Sequence, residues 1–219
     1  MKPKVTRPVT LVSCGVLVDE ERGRYLLGSR PQGKPYAGYW ELPGGKLERG
    51  ETPLECLERE FLEELGVRIG CCMPWLALEN DYPHAYVRLH IYRIFAHEGT
   101  LQAREGQMFR WFDFGDIPRG VQLLPKVAQM VRSLHMPQIV RDWRFDSAGR
   151  PVIDGVAGTA VPHPENARWE IPEGSQFALL DAGREVAWRS PVPVYFPARD
   201  ESELTRAREL GAHGIVIAG

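Results

Sequence analysis

The sequence predicts an α+β protein, a mixed β-sheet flanked by helices, with a small β-rich appendage after it. Three observations carry that expectation. Strand-like runs come first and last around one strongly marked helix, which favours a mixed sandwich over a parallel βαβ array. A hydrophobic content of 43% over 219 residues supports a real core, enough for one large domain or a core domain plus a small one. Composition shifts near His135–Pro137, which divides the chain into residues 1–136 and 137–219.

The elements follow in order. Val9–Val18 is an apolar run read as a buried strand. Asp19–Arg24 is a charged turn and Tyr25–Gly28 starts a second strand, so the pair reads as a hairpin. Ser29–Trp40 is a Pro/Gly-rich loop offering Arg30 and Lys34 as cations. The next helix is marked at both ends. Thr52 and Glu55 make a capping box, Pro53 takes the first helical position, and Gly66 is the stop, so the helix spans Pro53–Leu65. Arg68–Leu78 and Ala85–Ala96 read as strands, the second alternating Val87, Leu89 and Ile91 with Tyr86, Arg88, His90 and Tyr92. Met108–Phe114 is a further strand, and Leu123–Leu134 a helix with Leu124, Val127, Met130, Val131 and Leu134 on one face. Past residue 137, "WRFDSAGRPVID" and "FALLDAGREVAWRS" each read as two short strands about a turn. A loop with Pro162, Pro164 and Pro172 separates them, and the chain ends strand, helix, strand.

Bulk chemistry removes some function classes. A net charge of −2 leaves no electrostatic footprint for a nucleic-acid polymer or an anionic membrane. Cys14, Cys56, Cys71 and Cys72 show neither CxxC spacing nor a disulfide framework, and read as reduced packing residues of a cytoplasmic protein. Lys2, Lys4 and Arg7 ahead of "LVSC" have the look of a lipoprotein leader, but a leader needs roughly 7–15 apolar residues before its cleavage site. Here the apolar run continues past Cys14 to Val18, as a strand would. No stretch is long enough to span a bilayer.

The chemistry concentrates in Glu41–Val67, where eight glutamates face three basic residues. On a helical wheel Glu60, Glu63 and Glu64 share one face, with Cβ atoms roughly 5–6 Å apart. Leu54, Leu57, Phe61 and Leu65 occupy the opposite face. Glu55 has Arg59 one turn on, but Glu60 and Glu64 have no such basic partner. A bare carboxylate cluster raises its own pKa values unless a cation sits there. Hard divalent ions such as Mg²⁺ take oxygen ligands and bridge to phosphates. Just upstream, Pro43-Gly44-Gly45 permits tight backbone approach.

Gly45, Glu51, Arg59, Glu60, Phe61, Glu63, Glu64, Gly66 and Val67 fit G-x5-E-x7-R-E-U-x-E-E-x-G-U, with U apolar, without a departure. This resembles the Nudix box. "ELPGGKLERGETP", Tyr82-Pro83 and "REGQMFRWF" are similar to the MutT branch, the 8-oxo-dGTP diphosphatases, over about Val9–Leu134. The resemblance implies an α/β/α sandwich around a mixed sheet. It implies a Mg²⁺-dependent enzyme, with Mn²⁺ as the other cation, that splits nucleoside triphosphates to monophosphate and pyrophosphate. Such an enzyme would clear 8-oxo-dGTP from the nucleotide pool, protecting DNA replication from mutation. Glu60, Glu63 and Glu64 would ligate the metal with the Gly44 carbonyl beside them, and Glu51 would support them. Glu105 would be a metal ligand or general base. Arg59 would hold the glutamates by charge-assisted hydrogen bonds. Arg30 would contact phosphates, and Glu41, Gly45, Lys46, Gln122 and Leu123 would complete the substrate site. The partners implied are a nucleotide and no membrane, the chain being a monomer or homodimer.

The resemblance departs at the base-reading turn, where "VQLLPKV" puts Leu123 at the asparagine of a "PAN-x-P" pattern and leaves only Gln122 nearby. Other triphosphates, nucleoside diphosphate derivatives and a non-catalytic nucleotide sensor are the alternatives. The last ~28 residues are similar to the end of thiamine-phosphate-synthase-like barrels, but a full barrel needs ~200 or more. That similarity implies a structural or dimerising remnant.

Overall fold

The computed structural model describes residues 8–83, 85–115, 118–161, 171–180 and 190–217. Expectations that fall on Pro162, Pro164 and the second half of "FALLDAGREVAWRS" lie outside these residues. The chain forms two compact units, one from residues 1–72 and 78–135, the other from 73–77 and 136–219.

The first unit is built on a mixed sheet. Its strands are β1 (Val9–Asp19), β2 (Arg24–Ser29), β3 (Trp40–Glu41), β4 (Gly44–Lys46), β6 (Cys72–Tyr82), β7 (Ala85–Ile94) and β9 (Phe109–Asp113), with order β3-β2-β1-β7-β6, β4 added on β1 and β9 on β2. β5 (Arg68–Ile69) and β8 (His97–Glu98) form a separate short pair. β1 and β7 run parallel from Val9↔Tyr86 to Leu17↔Ile94. The other edge of β1 is shared: Val12–Cys14 pair with β4, and Val18–Asp19 pair with β2 in the expected hairpin. Between them Gly15 donates to the Pro43 carbonyl at 3.0 Å. The sheet therefore splits at Gly15, and the Pro43-Gly44-Gly45 turn stands at the split.

The glutamate segment packs on this sheet. The helix α1 (Pro53–Glu60) has the capping box, with Glu55 N–H donating to Thr52 Oγ1 and Thr52 N–H to Glu55. Such a cap stabilises by about 1 kcal/mol. Leu57, Phe61 and Leu65 are fully buried, each worth about 1.5–3 kcal/mol. The expected α-helix does not reach Leu65. Phe61–Leu65 is wound as a π turn that ends on Gly66 in the left-handed region. Bonds spanning five residues reduce the rotation per residue. A residue four positions on then stays near the line of its start, while one three positions on falls well short of it. The consequence appears at the site.

The second predicted helix is shorter than its periodicity suggests. The helix α2 covers Val127–Leu134, with Val127, Met130, Val131 and Leu134 buried. Leu123 and Leu124 precede it in extended chain against β3, where Trp40 N–H donates to the Gln122 carbonyl at 2.7 Å and Leu124 N–H to the Trp40 carbonyl at 3.0 Å.

The second unit corrects the expectation of paired hairpins. β10 (Ile139–Val140), β14 (Thr159–Val161), β15 (Ala178–Leu180), β16 (Val194–Ala198) and β17 (Gly214–Ile217) form one sheet, ordered β10-β17-β16-β15-β14, with every pair parallel. Both faces are buried. Ala178, Leu180, Val194, Phe196 and Ile215 enter one cluster, while Val140, Leu179, Tyr195 and Val216 enter another. Burial on both faces explains runs such as "FALL" and "GIVI", which do not alternate. The "WRFDSAGRPVID" hairpin does form, as β11 (Trp143–Phe145) and β12 (Pro151–Ile153), with β13 (Val156–Ala157) alongside. The helix α3 (Leu204–Glu209) joins β16 to β17. The boundary near residue 137 is not a simple cut, because Met73–Ala77 groups with this unit. Trp75 Nε1–H donates to His213 Nδ1 at 3.1 Å, and Ala77 N–H donates to the Ser190 carbonyl at 3.0 Å.

Candidate active site

A cleft of about 720 Å³ opens on the first unit, lined from β1, β4, the loop after β2, α1, β7 and α2. Its floor at one end is the glycine turn. A Cβ on Gly44, at φ +140°, would lie 2.2 Å from the Ser13 carbonyl oxygen, and one on Gly45 2.1 Å from Glu60 Oε1. Only glycine lets the backbone and the glutamates come this close.

Arg59 organises the carboxylates. Its Nε donates to Glu51 Oε1 at 2.7 Å and its Nη2 to Glu51 Oε2 at 3.1 Å, a bidentate pair. Its Nη1 donates to Glu60 Oε1 at 2.9 Å and Glu63 Oε2 at 3.0 Å, and its Nη2 to the Lys46 carbonyl at 3.1 Å. The Arg59 hydrogen bonds, with the Glu48 amide, hold the Glu51 carboxyl down at about 2. The same bond to Glu51, with those to Glu60 and Glu63, raises the Arg59 guanidinium above its ordinary value.

Glu64 is held differently. It accepts from the Gly44 N–H at 3.1 Å. Burial pushes its carboxyl up to about 7 against that bond, and the charges of Glu60, Glu41 and Glu105 add to the push. Burial also raises Glu60, although Arg59 opposes it. Glu41 is raised by burial too, opposed by its ion pair with Arg30.

The predicted residues are thus distributed unevenly. Glu60, Glu64, Arg59, Gly44, Gly45, Lys46, Arg30 and Glu41 line the cleft. Glu51 and Glu63 do not; Glu51 sits behind Arg59, and Glu63, half exposed, turns to Arg59. The π turn accounts for this, since it keeps Glu64 in line with Glu60 and leaves Glu63 to one side. Among the described residues no group of three or more His, Cys, Asp or Glu side chains is gathered closely enough to hold a metal ion. Glu60 and Glu64 thus line the cleft together, while Glu63 is paired with Arg59. Arg30 faces Glu41, with its Nε also donating to the Pro35 carbonyl at 2.8 Å. Glu105 lies off the cleft lining, 3.7 Å from Lys34 Nζ, yet close enough to repel Glu60 and Glu64. Gln122 and Leu123 also lie off the lining, and Leu124 takes the place on the wall.

Much of the remaining lining is apolar and aromatic: Tyr36, Tyr82, Val87, Leu89, Phe109, Leu124 and Met130, with Gln107 and Lys126. The sequence reading did not assign these to the substrate. Gln107 and Phe109 share one side of an extended run, a period-two signal inside "REGQMFRWF". The others come from separate elements and carry no common spacing.

Comparison with known proteins places these features. A NUDIX domain model matches residues 9–134. The 8-oxo-dGTP diphosphatase of Proteus vulgaris is 30% identical over 43% of this chain and 84% of its own length. The CTP pyrophosphohydrolase of Escherichia coli is 35% identical over 42% of this chain and 68% of its own. In fold, the crystal structure of a MutT NUDIX hydrolase from Burkholderia pseudomallei is similar with a TM-score of 0.50 at 24% identity, over 56% of this chain and 96% of that one.

Proposed function

The chain belongs to the Nudix family, as a hydrolase of phosphorus anhydrides, and from that premise we propose a Mg²⁺-dependent nucleoside triphosphate pyrophosphohydrolase. Its products are a nucleoside monophosphate and pyrophosphate, with 8-oxo-dGTP as the first candidate substrate. The observation that carries this reading is the facing pair Glu60 and Glu64, seated against the glycine turn in the cleft.

The donor set fits a hard cation. Mg²⁺ is commonly held by one or two carboxylates, completed by water and substrate phosphates, so a facing pair is sufficient. Burial and like charges disfavour the Glu64 anion and raise its carboxyl well above the ordinary value. A cation held by Glu60 and Glu64 would relieve that cost, and would supply neutralisation of phosphate charge and activation of water.

The chain's own residues supply the rest. Arg59 fixes Glu60 and draws Glu63 aside. Glu51 fixes Arg59 in turn. Glu105, near enough to repel Glu60 and Glu64, would accept the proton of the attacking water. Arg30 reaches phosphate by exchanging its Glu41 partner.

Leucine in the base-reading turn supports a second reading. Leu124 presents no hydrogen-bonding group to a base, and a purine-reading asparagine is missing. The CTP pyrophosphohydrolase relative makes a pyrimidine triphosphate the second candidate. A turnover screen over 8-oxo-dGTP, dGTP, CTP, the other nucleoside triphosphates and ADP-ribose, with Mg²⁺ or Mn²⁺, tests both. Pyrophosphate release with 8-oxo-dGTP as best substrate supports the first reading, and a CTP optimum supports the second. Absence of turnover on every triphosphate at saturating Mg²⁺ overturns the triphosphate reading.

A further inference from the structure

Tyr36 carries a backbone conformation that tyrosine seldom takes. Its φ is 62°, in the left-handed region, and it follows Pro35 in the loop between β2 and β3. For a bulky residue this is strained, and it persists only when the surroundings over-determine it. The loop supplies those surroundings. Arg30 N–H donates to the Tyr39 carbonyl at 2.7 Å, Gly38 N–H to the Arg30 carbonyl at 3.0 Å, and Tyr39 N–H to the Tyr36 carbonyl at 3.0 Å. The Arg30 guanidinium ties the Pro35 carbonyl and Glu41 to the same base.

The result is a ring placed with care. Tyr36 packs edge-on to Tyr39 at 5.5 Å between centroids and tilts against Tyr82 at 6.1 Å. Tyr36 and Tyr82 both line the cleft, and Tyr36 remains 39% exposed. A ring wanted only for core packing would be covered. Bonds link the two regions in order: Glu64 accepts from the Gly44 N–H, Glu41 lies three residues before Gly44 and pairs with Arg30, and Arg30 donates to the Pro35 carbonyl beside Tyr36. The aromatic pair therefore lies beyond Arg30 from the carboxylates, where the far end of a phosphate chain bound at Glu60 and Glu64 would point.

We infer that Tyr36, braced by Tyr82, is the stacking platform for the nucleobase, and that its π-face makes the site favour nucleotides over base-free polyphosphates. Stacking on an aromatic side chain tolerates every base, since each has a π-face. Tyr36 thus selects nucleotides as a class, and the polar groups nearby choose among bases. This rests on the proposed nucleotide activity.

The test compares Tyr36→Gly and Tyr36→Phe with the wild-type chain. Glycine removes the ring and accepts the left-handed backbone, so the fold is retained; unchanged thermal melting checks this. The probes are dGTP, CTP and inorganic tripolyphosphate. In Tyr36→Gly the KM for both nucleotides rises about ten- to a hundredfold, kcat changes little, and the preference for nucleotide over tripolyphosphate collapses. Tyr36→Phe keeps the wild-type values, because the ring and not the hydroxyl acts. Unchanged nucleotide KM in Tyr36→Gly overturns the platform, and so does an equal rise for tripolyphosphate, which would assign Tyr36 to the phosphate loop. If the wild type turns over none of the three, the proposed activity fails separately. Calorimetric binding of dGTP and CTP to the wild type and Tyr36→Gly then decides the platform by itself, weaker binding upholding it and equal or absent binding overturning it.

Discussion

At one end of the cleft a single arginine ties Glu51, Glu60, Glu63 and the Lys46 carbonyl into one bonded group, behind a glycine turn with no room for a methyl. Elsewhere in the cleft, rings and apolar side chains from six separate segments meet. The first end is held by charge and geometry, and a change of one ångström is felt in every member. The second is held by shape, and tolerates exchange of similar volume. Reaction chemistry belongs where geometry is over-determined, and substrate choice where it is adaptable.

The sharpest way to break this division is at the facing carboxylates. Glu60→Gln or Glu64→Gln should lower kcat by about two to four orders of magnitude. Thermal stabilisation by Mg²⁺, read by differential scanning fluorimetry, should be lost with it. Undiminished kcat in either variant would remove the chemistry from this end.

Next in size is Arg59→Ala. It leaves Glu51, Glu60 and Glu63 without their donor, and hydrogen bonds to charged groups are worth about 1.5–3 kcal/mol. Partial exposure of Arg59 reduces this, so chemical denaturation should show a loss of about 2 kcal/mol together with a large fall in kcat. A loss of activity with stability intact would mean Arg59 acts on substrate and not as a brace.

The brace also has a pH signature. Glu51 is lowered in the folded chain, so its contribution is present in full above its ordinary value near 4.5 and is lost as pH falls toward about 2. Melting temperature should decline over that window, and Glu51→Gln should flatten this part of the curve. A parallel decline in the variant would assign the acid sensitivity elsewhere.

The smallest effect sharpens the other end. Leu124 lines the cleft and Leu123 does not, so Leu124→Asn should shift the ratio of kcat/KM between purine and pyrimidine triphosphates. The same change at Leu123, where the MutT pattern has its asparagine, should leave the ratio within about twofold, since it adds no group to the site. A larger shift from Leu123→Asn would return the base-reading role to the pattern position.

Much of the carboxylate end was legible because its residues lie within one helical segment and the turn before it. Thr52, Pro53, Glu55 and Gly66 mark the helix ends by local chemistry, and fixed spacing then puts Arg59, Glu60 and Glu64 near one another. The separation of Glu63 was not legible. It follows from the π turn, and nothing in "FLEEL" distinguishes that winding from an ordinary one. The parallel sheet of the second unit was missed for a related reason. Short apolar runs look alike whether they pair with a neighbour in a hairpin or with a distant strand, and β14, β15 and β16 take the distant choice.

By itself, then, the sequence determined the helix, the glycine turn and the identity of the acidic groups, since each depends on interactions between residues a turn or less apart. Tertiary structure decided that Met73–Ala77 joins the second unit through Trp75 and His213, and that Tyr36, Tyr82, Phe109, Leu124 and Met130 line one cleft. Those outcomes depend on contacts between residues far apart in the chain, and spacing along a sequence carries no record of them until the sheet has closed.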